Sequence, residues 1–360
     1  LLHALACNQQ LYTIDFAPHS LPIGSAALDS GRSLGEFDRL MRRLASHSTN
    51  WIALLALLTA PLAARAEDPV GSGHQLWKIN TRHLSAYQPQ VEELGQWTYS
   101  RFQDGQWTLS DAEDFDQGNE VPTCLIVHGS PASDEYVVGL TVDVFNHISE
   151  FLGPDKPIRI IVWSWPSDKM QASLIKDFRD QTIRSERQGF FLAHFLTDLR
   201  QSCPVMLVGY SMGSRTAVTG LHLIGGGQLP EIPKFEADHD GGKPIIGVLV
   251  AAAIDTNWLE VGQRYDKAVE QTSHFVVTVN NQDPILKRYP RLYGGKRSPQ
   301  RAIGFLGIAS QEKLASLKDR FTQIDITRIA GKSHDIRRIT GSRVLLEEIS
   351  QHTFDRLFGN

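Results

Sequence analysis

Val205-Met-Leu-Val-Gly-Tyr-Ser211-Met-Gly-Ser-Arg-Thr-Ala-Val218 is the stretch on which the reading of this chain turns. The apolar run Val205 to Val208 is too short for a helix and suits a strand buried on both faces. It runs into Gly209-Tyr-Ser-Met-Gly213, a G-x-S-x-G pattern, and then into small, helix-compatible residues. Such a sharp strand-to-helix turn crowds the backbone on both sides of the serine, where only residues lacking Cβ fit. Ser211 is then expected at the tip with its hydroxyl above the sheet, and the Met212 N–H, opening a helix, is free to donate to an oxyanion. The pattern alone arises by accident in about one chain of this length in ten. The flanking strand and helix are what an accidental match would lack.

Working outward, buried strands are expected at 122–128, 158–165, 245–252, 275–279 and 324–329, each a β-rich apolar run ended by turn residues. Apolar residues from Met170 to Leu199 recur at helical spacing, and a closing helix is expected at 341–357. Asp104-Gly105, between 97–102 and 107–109, marks a hairpin. Strands alternating with helices predict an α/β fold with a mostly parallel central sheet and helices on both faces. No insertion between 252 and 275 is large enough for a big lid domain, so a fairly open site is expected.

The chain has 360 residues, 41% hydrophobic and 21% charged, with a net charge of −4, which is globular composition without the basic footprint of a nucleic-acid binder. Three cysteines (Cys7, Cys124, Cys203) are too few for a disulfide scaffold and lack zinc spacing; Cys124 and Cys203 are expected as buried free thiols. Met41-Arg-Arg, the apolar run from Trp51 to Leu58 and Ala64-Arg-Ala66 have the three parts of a secretory signal peptide. The resulting division is an upstream extension at 1–40, a signal peptide at 41–66 cleaved after Ala66, a hairpin region packed on the core at 67–118, and a catalytic domain at 119–360. Periplasmic or secreted location is the corresponding expectation. The apolar run is shorter than a membrane span, so no stable anchor is expected.

A serine nucleophile needs a base, and the carboxyl ends of the strands are where open α/β sheets place their sites. His334 lies in Gly331-Lys-Ser-His-Asp335, between the last strand and the closing helix, in reach of Ser211. His128, the rival at a strand end, sits in a His-Gly context that fits a structural role. The orienting acid is expected after an intermediate strand: Asp283 in Asn280-Asn-Gln-Asp-Pro284, or else Asp255 after the preceding one. Either could instead be a loop-capping aspartate. Asp238-His239-Asp240 reads as a charged loop, since three adjacent residues do not converge on a metal. The order Ser…Asp…His is that of α/β hydrolases.

From about Leu76 onward the chain resembles the α/β-hydrolase superfamily, and more narrowly the largely bacterial family called domain of unknown function 900. The resemblance rests on Val127-His-Gly129, Trp163-Ser-Trp-Pro-Ser167, Gly209-Tyr-Ser-Met-Gly213, the Asp283 loop with Leu292-Tyr-Gly-Gly295, and His334. It implies that Ser211 attacks an acyl carbon, His334 takes its proton, Asp283 fixes the imidazole, and the N–H groups of Met212 and Ser130 hold the oxyanion. The implied activity is hydrolysis of a small-molecule carboxylic ester, thioester or amide, with no cofactor or metal. The alternative is a non-catalytic binding protein on the same scaffold.

Overall fold

A computed structural model of the chain describes residues 73–117, 120–236, 242–292, 301–308 and 319–359. The expected extension at 1–40, the signal peptide at 41–66 and the Asp238-His239-Asp240 loop lie outside the described residues. These residues form a nine-stranded sheet in the order β3-β2-β1-β5-β4-β6-β7-β8-β9. The strands are β1 (Gln75–Asn80), β2 (Thr98–Gln103), β3 (Gln106–Ser110), β4 (Thr123–Val127), β5 (Arg159–Ser164), β6 (Val205–Tyr210), β7 (Ile245–Val250), β8 (His274–Val279) and β9 (Phe321–Asp325). All pairings from β1 through β9 are parallel, while the β2–β3 hairpin extends the β1 edge antiparallel.

Parallel strands need crossovers, and helices supply three of them: α1 (Asp134–Leu152), α2 (Leu174–Ser202) and α3 (Gly213–Ile224). Each of β4 to β8 is buried at every position, because helices cover both faces. On one face Leu125, Val127, Leu207 and Val277 pack with Phe191 and Phe195 of α2 and Val218 and Leu221 of α3. On the other, Cys124, Ile126, Val208 and Val248 meet Leu140, Val144 and Ile148 of α1. The same face holds residues of α4 (Ile336–Thr340), α5 (Arg343–Ser350) and α6 (Phe354–Leu357). Each fully buried Leu, Ile, Val or Phe contributes about 1.5–3 kcal/mol of transfer free energy. Cys124 and Cys203 are buried free thiols. No helix among the described residues is long and apolar enough to cross a membrane.

Three expected elements are corrected. The strand expected at 324–329 is β9, which ends at Asp325, and Thr327–Ala330 is a helical turn. The Asp325 carboxylate accepts from the Thr327 N–H at 2.9 Å, and Ile326 O takes the N–H groups of Ile329 and Ala330, so local bonds outcompete the β propensity of Ile and Thr. The long helix begins at Leu174, not Met170, because Asp177 Oδ1 accepts from the N–H groups of Met170 and Gln171 at 2.7 and 2.8 Å and holds them in a loop. The closing helix is broken into α5 and α6: Thr353 leaves helical geometry with φ −131° and its hydroxyl donates to Ile349 O at 2.8 Å.

Strand order fixes where a site can form. From β4 the chain crosses to β5 on one side, and from β6 it crosses to β7 on the other. Neighbouring strands whose connections depart in opposite directions leave a crevice at their carboxyl ends. The loops after β4 and β6 are those of Ser130 and Ser211.

Candidate active site

Ser211 follows β6 directly and holds φ +52°, a left-handed conformation that costs a non-glycine residue about 1–3 kcal/mol. Bonds on both sides impose it. Ser211 N–H donates to Val250 O at 2.9 Å, continuing the pairing with β7, while Ser211 O accepts from Ala253 and Ser214 at 3.1 and 3.2 Å. The expected glycine constraint is present: a Cβ on Gly209 would lie 2.7 Å from Ser214 Cα, and one on Gly213 would overlap the Val127 carbonyl. Met212 is the N-cap of α3, and its N–H has no acceptor among the described residues.

Three side chains from three loops then meet in a line. His334 Nδ1 lies 2.6 Å from Asp283 Oδ2, and His334 Nε2 lies 2.8 Å from Ser211 Oγ. A carboxylate only accepts, so Nδ1 carries the proton and Nε2 accepts from the serine hydroxyl. Asp283 is fully buried, and its other oxygen accepts from the N–H groups of Ile285 and Leu286 at 2.8 and 3.0 Å, which locks the carboxylate's orientation. Ser211 keeps only 6% of its surface and the His334 side chain 18%. Solvent reaches the pair across a small area.

The other sequence candidates are placed elsewhere. Asp255 accepts from Tyr289 OH at 2.7 Å and has no bond to His334. Burial raises its pKa against the Tyr289 bond and the Arg215 charge. It belongs to a buried network in which Arg215 Nη2 donates to Tyr289 OH at 2.8 Å and Arg215 Nε donates to Ala253 O at 3.0 Å. His128 Nδ1 donates to Gly129 O at 2.7 Å, and its Nε2 accepts from the Trp165 N–H at 3.3 Å. Burial pushes the His128 pKa down to about 3, so it stays neutral and structural. No group of three His, Cys, Asp or Glu suited to a metal occurs among the described residues.

Ser130 lies in the loop that packs on the serine: a Cβ on Gly129 would stand 2.9 Å from that of Ser211. The Ser130 N–H has no acceptor among the described residues, and its buried hydroxyl has no partner there either. Several residues that hold this geometry have no role assigned from the sequence, and Arg82 is not singled out there at all. Arg82, after β1, donates to Ala132 O at 3.0 Å, to Ser164 Oγ at 2.8 Å and to Asp168 at 2.7 Å. Ser167 Oγ also donates to Ala132 O, at 2.9 Å. Trp163-Ser-Trp-Pro-Ser167 therefore acts as a brace, with Ser164 and Trp165 reaching Arg82 and His128 and Ser167 reaching the loop itself. Across the site, Asn280 Nδ2 donates to Gly331 O and Ser333 O at 2.8 and 3.1 Å, and Tyr210 OH donates to His334 O at 2.9 Å. These three bonds pin the histidine loop. Tyr210 was legible as the residue before the serine, Asn280 as a strand-end amide, but nothing in the sequence ties Arg82 to a loop fifty residues away. No protein-family model, curated protein or solved structure matches this chain.

Proposed function

We propose that the chain is a serine hydrolase of the α/β-hydrolase kind, acting on a small carboxylic ester, thioester or amide through an acyl-enzyme. The unbroken line from Asp283 through His334 to Ser211, at 2.6 and 2.8 Å, is the observation that carries the reading. Ser211 Oγ attacks the acyl carbon as its proton passes to His334 Nε2. The carbonyl oxygen becomes an oxyanion, held by the Met212 N–H and the Ser130 N–H. The C–O, C–S or C–N bond to the leaving group breaks, and that group departs with the proton from His334. Water repeats the sequence: His334 accepts its proton, hydroxide adds to the acyl carbon, and Ser211 leaves reprotonated. Asp283 stays ionised throughout and stabilises the imidazolium. The strained φ of Ser211 adds support, since backbone strain of this kind clusters at reactive positions.

The test is turnover of a p-nitrophenyl ester panel by wild type, Ser211→Ala, Asp283→Asn and Asp255→Asn. Ser211→Ala is expected to abolish turnover above a small residual rate. Asp283→Asn is expected to lose about 10⁴-fold in kcat through the wrong imidazole tautomer, while Asp255→Asn stays within about tenfold of wild type, since Asp255 does not touch the imidazole. Full activity in Ser211→Ala would refute the reading; equal losses in the two aspartate variants would remove Asp283 from its assigned role.

A further inference from the structure

The segment after Asp283 lines a hollow of about 530 Å³, bounded by Pro284, Lys287, Arg288, Pro290, Arg291 and Arg301. Four of these six residues are cationic, and none has a carboxylate partner among the described residues. Arg301 lies over the Phe305 ring, 5.9 Å from its centroid. The surrounding sequence has the same bias: from Pro284 to Arg301 there are six Lys or Arg and no Asp or Glu, in a chain whose net charge is −4. Other arginines of the described residues do have carboxylate partners, as Arg82 has in Asp168 and Arg264 in Glu186.

The wall is rigid. Leu286 and Tyr289 are each 1% exposed, Tyr289 is bonded to Asp255 and Arg215, and Lys287 N–H donates to Asp283 O at 3.0 Å. Arg301 O accepts from Thr256 N–H at 3.1 Å, which fixes the opposite side. Like charges gathered on fixed backbone around a concavity repel one another, and a bound anion relieves that repulsion. Three of the four are arginines, whose planar forks pair two-pronged with phosphate oxygens. The hollow lies within the range of about 300–1,000 Å³ typical of small-molecule sites. A long polyanion would call instead for an extended basic stripe.

We infer that the hollow lined by Lys287, Arg288, Arg291 and Arg301 binds the phosphate groups of a small, soluble phosphorylated ligand. Neither Ser211 nor His334 nor Asp283 lines the hollow, and the inference does not depend on the hydrolase reading. The experiment is calorimetric titration of the full chain with inorganic pyrophosphate in about 150 mM salt, where the Debye length is about 8 Å and diffuse attraction is screened. Saturable binding is expected, weakened at least tenfold by Arg291→Glu and by Arg301→Glu. Ser211→Ala should bind as wild type does, so that loss of esterase and loss of phosphate binding are read independently. All four cations are exposed and repel one another, so melting temperatures of the variants without ligand should not fall below the wild-type value. The neutral variants Arg288→Gln and Arg291→Gln, binding more weakly with an unchanged fold, would support the same conclusion. Absence of saturable binding overturns the inference, as does equal affinity in wild type and the charge-reversed variants. Binding to phosphatidylglycerol vesicles without binding of pyrophosphate also overturns it, in favour of a membrane surface.

Discussion

Ser211 is held in a conformation that its own side chain disfavours. At φ +52° any residue with a Cβ is strained, and the strain persists because Val250 bonds the Ser211 N–H while Ala253 and Ser214 bond its carbonyl, fixing the peptide units on both sides. This makes a stability prediction that reads the strain directly. Alanine at 211 keeps the Cβ and therefore the strain, whereas glycine releases it. Ser211→Gly is expected to melt no lower than Ser211→Ala, although glycine elsewhere costs about 0.5–1 kcal/mol relative to alanine. Thermal unfolding of both variants checks this. A glycine variant clearly less stable than the alanine one would mean that the turn is relaxed and its geometry no sign of selection for reactivity.

The loop that carries Ser130 is held by other elements, not by its own sequence. Arg82 comes from beyond β1, Ser164 ends β5 and Ser167 follows it; Arg82 and Ser167 donate to Ala132 O, and Ser164 Oγ accepts from Arg82. Arg82 acts through the loop, so it is a positioning residue. Arg82→Ala is expected to lower kcat about ten- to hundredfold with little change in KM, a partial loss of the about 10²–10³-fold worth of one oxyanion donor. Added guanidinium should restore part of the rate. An equal rise in KM, or loss of the fold with no rescue, would assign Arg82 a merely structural task. Elements of this kind also show what sequence reading can and cannot reach. The strand-to-helix turn at Ser211, the His334 loop and the Asp283 loop were legible because each rests on local chemistry: glycines that fit a tight turn, and a strand end followed by a polar residue. The strand β1 was not, because Leu76, Trp77 and Ile79 are all buried and the expected alternation is absent. The helix α1 was legible in principle: Ser133 caps it by accepting from Tyr136 N–H, and Val137, Leu140, Val144 and Ile148 share one face. The brace across β1, β4 and β5 depends on pairing between distant segments, which no local pattern specifies.

Across the described residues, apolar layers close on both faces of the sheet, and a buried neutral histidine is part of the closure. The His128 pKa falls from 6.5 to about 3 on folding, chiefly through burial. The unfolded chain therefore takes up this proton first as the pH drops. Stability from keeping His128 neutral is fully present above about pH 6.5 and is lost progressively toward pH 3, at up to about 1.4 kcal/mol per pH unit. Denaturant unfolding between pH 7.5 and 4 should show that slope, and His128→Gln should flatten it by about one proton; an unchanged slope in the variant would mean that His128 is not the linked group. The account as a whole stands on a single assignment, that Ser211 is a nucleophile made reactive by its surroundings. Treatment of the folded full chain with a fluorophosphonate probe, followed by peptide mapping, tests it most directly. The account predicts one phosphonyl group per chain, on Ser211, with labelling lost in Ser211→Ala and slowed by orders of magnitude in His334→Ala. A well-folded chain left unlabelled, or labelled at another serine, would contradict it.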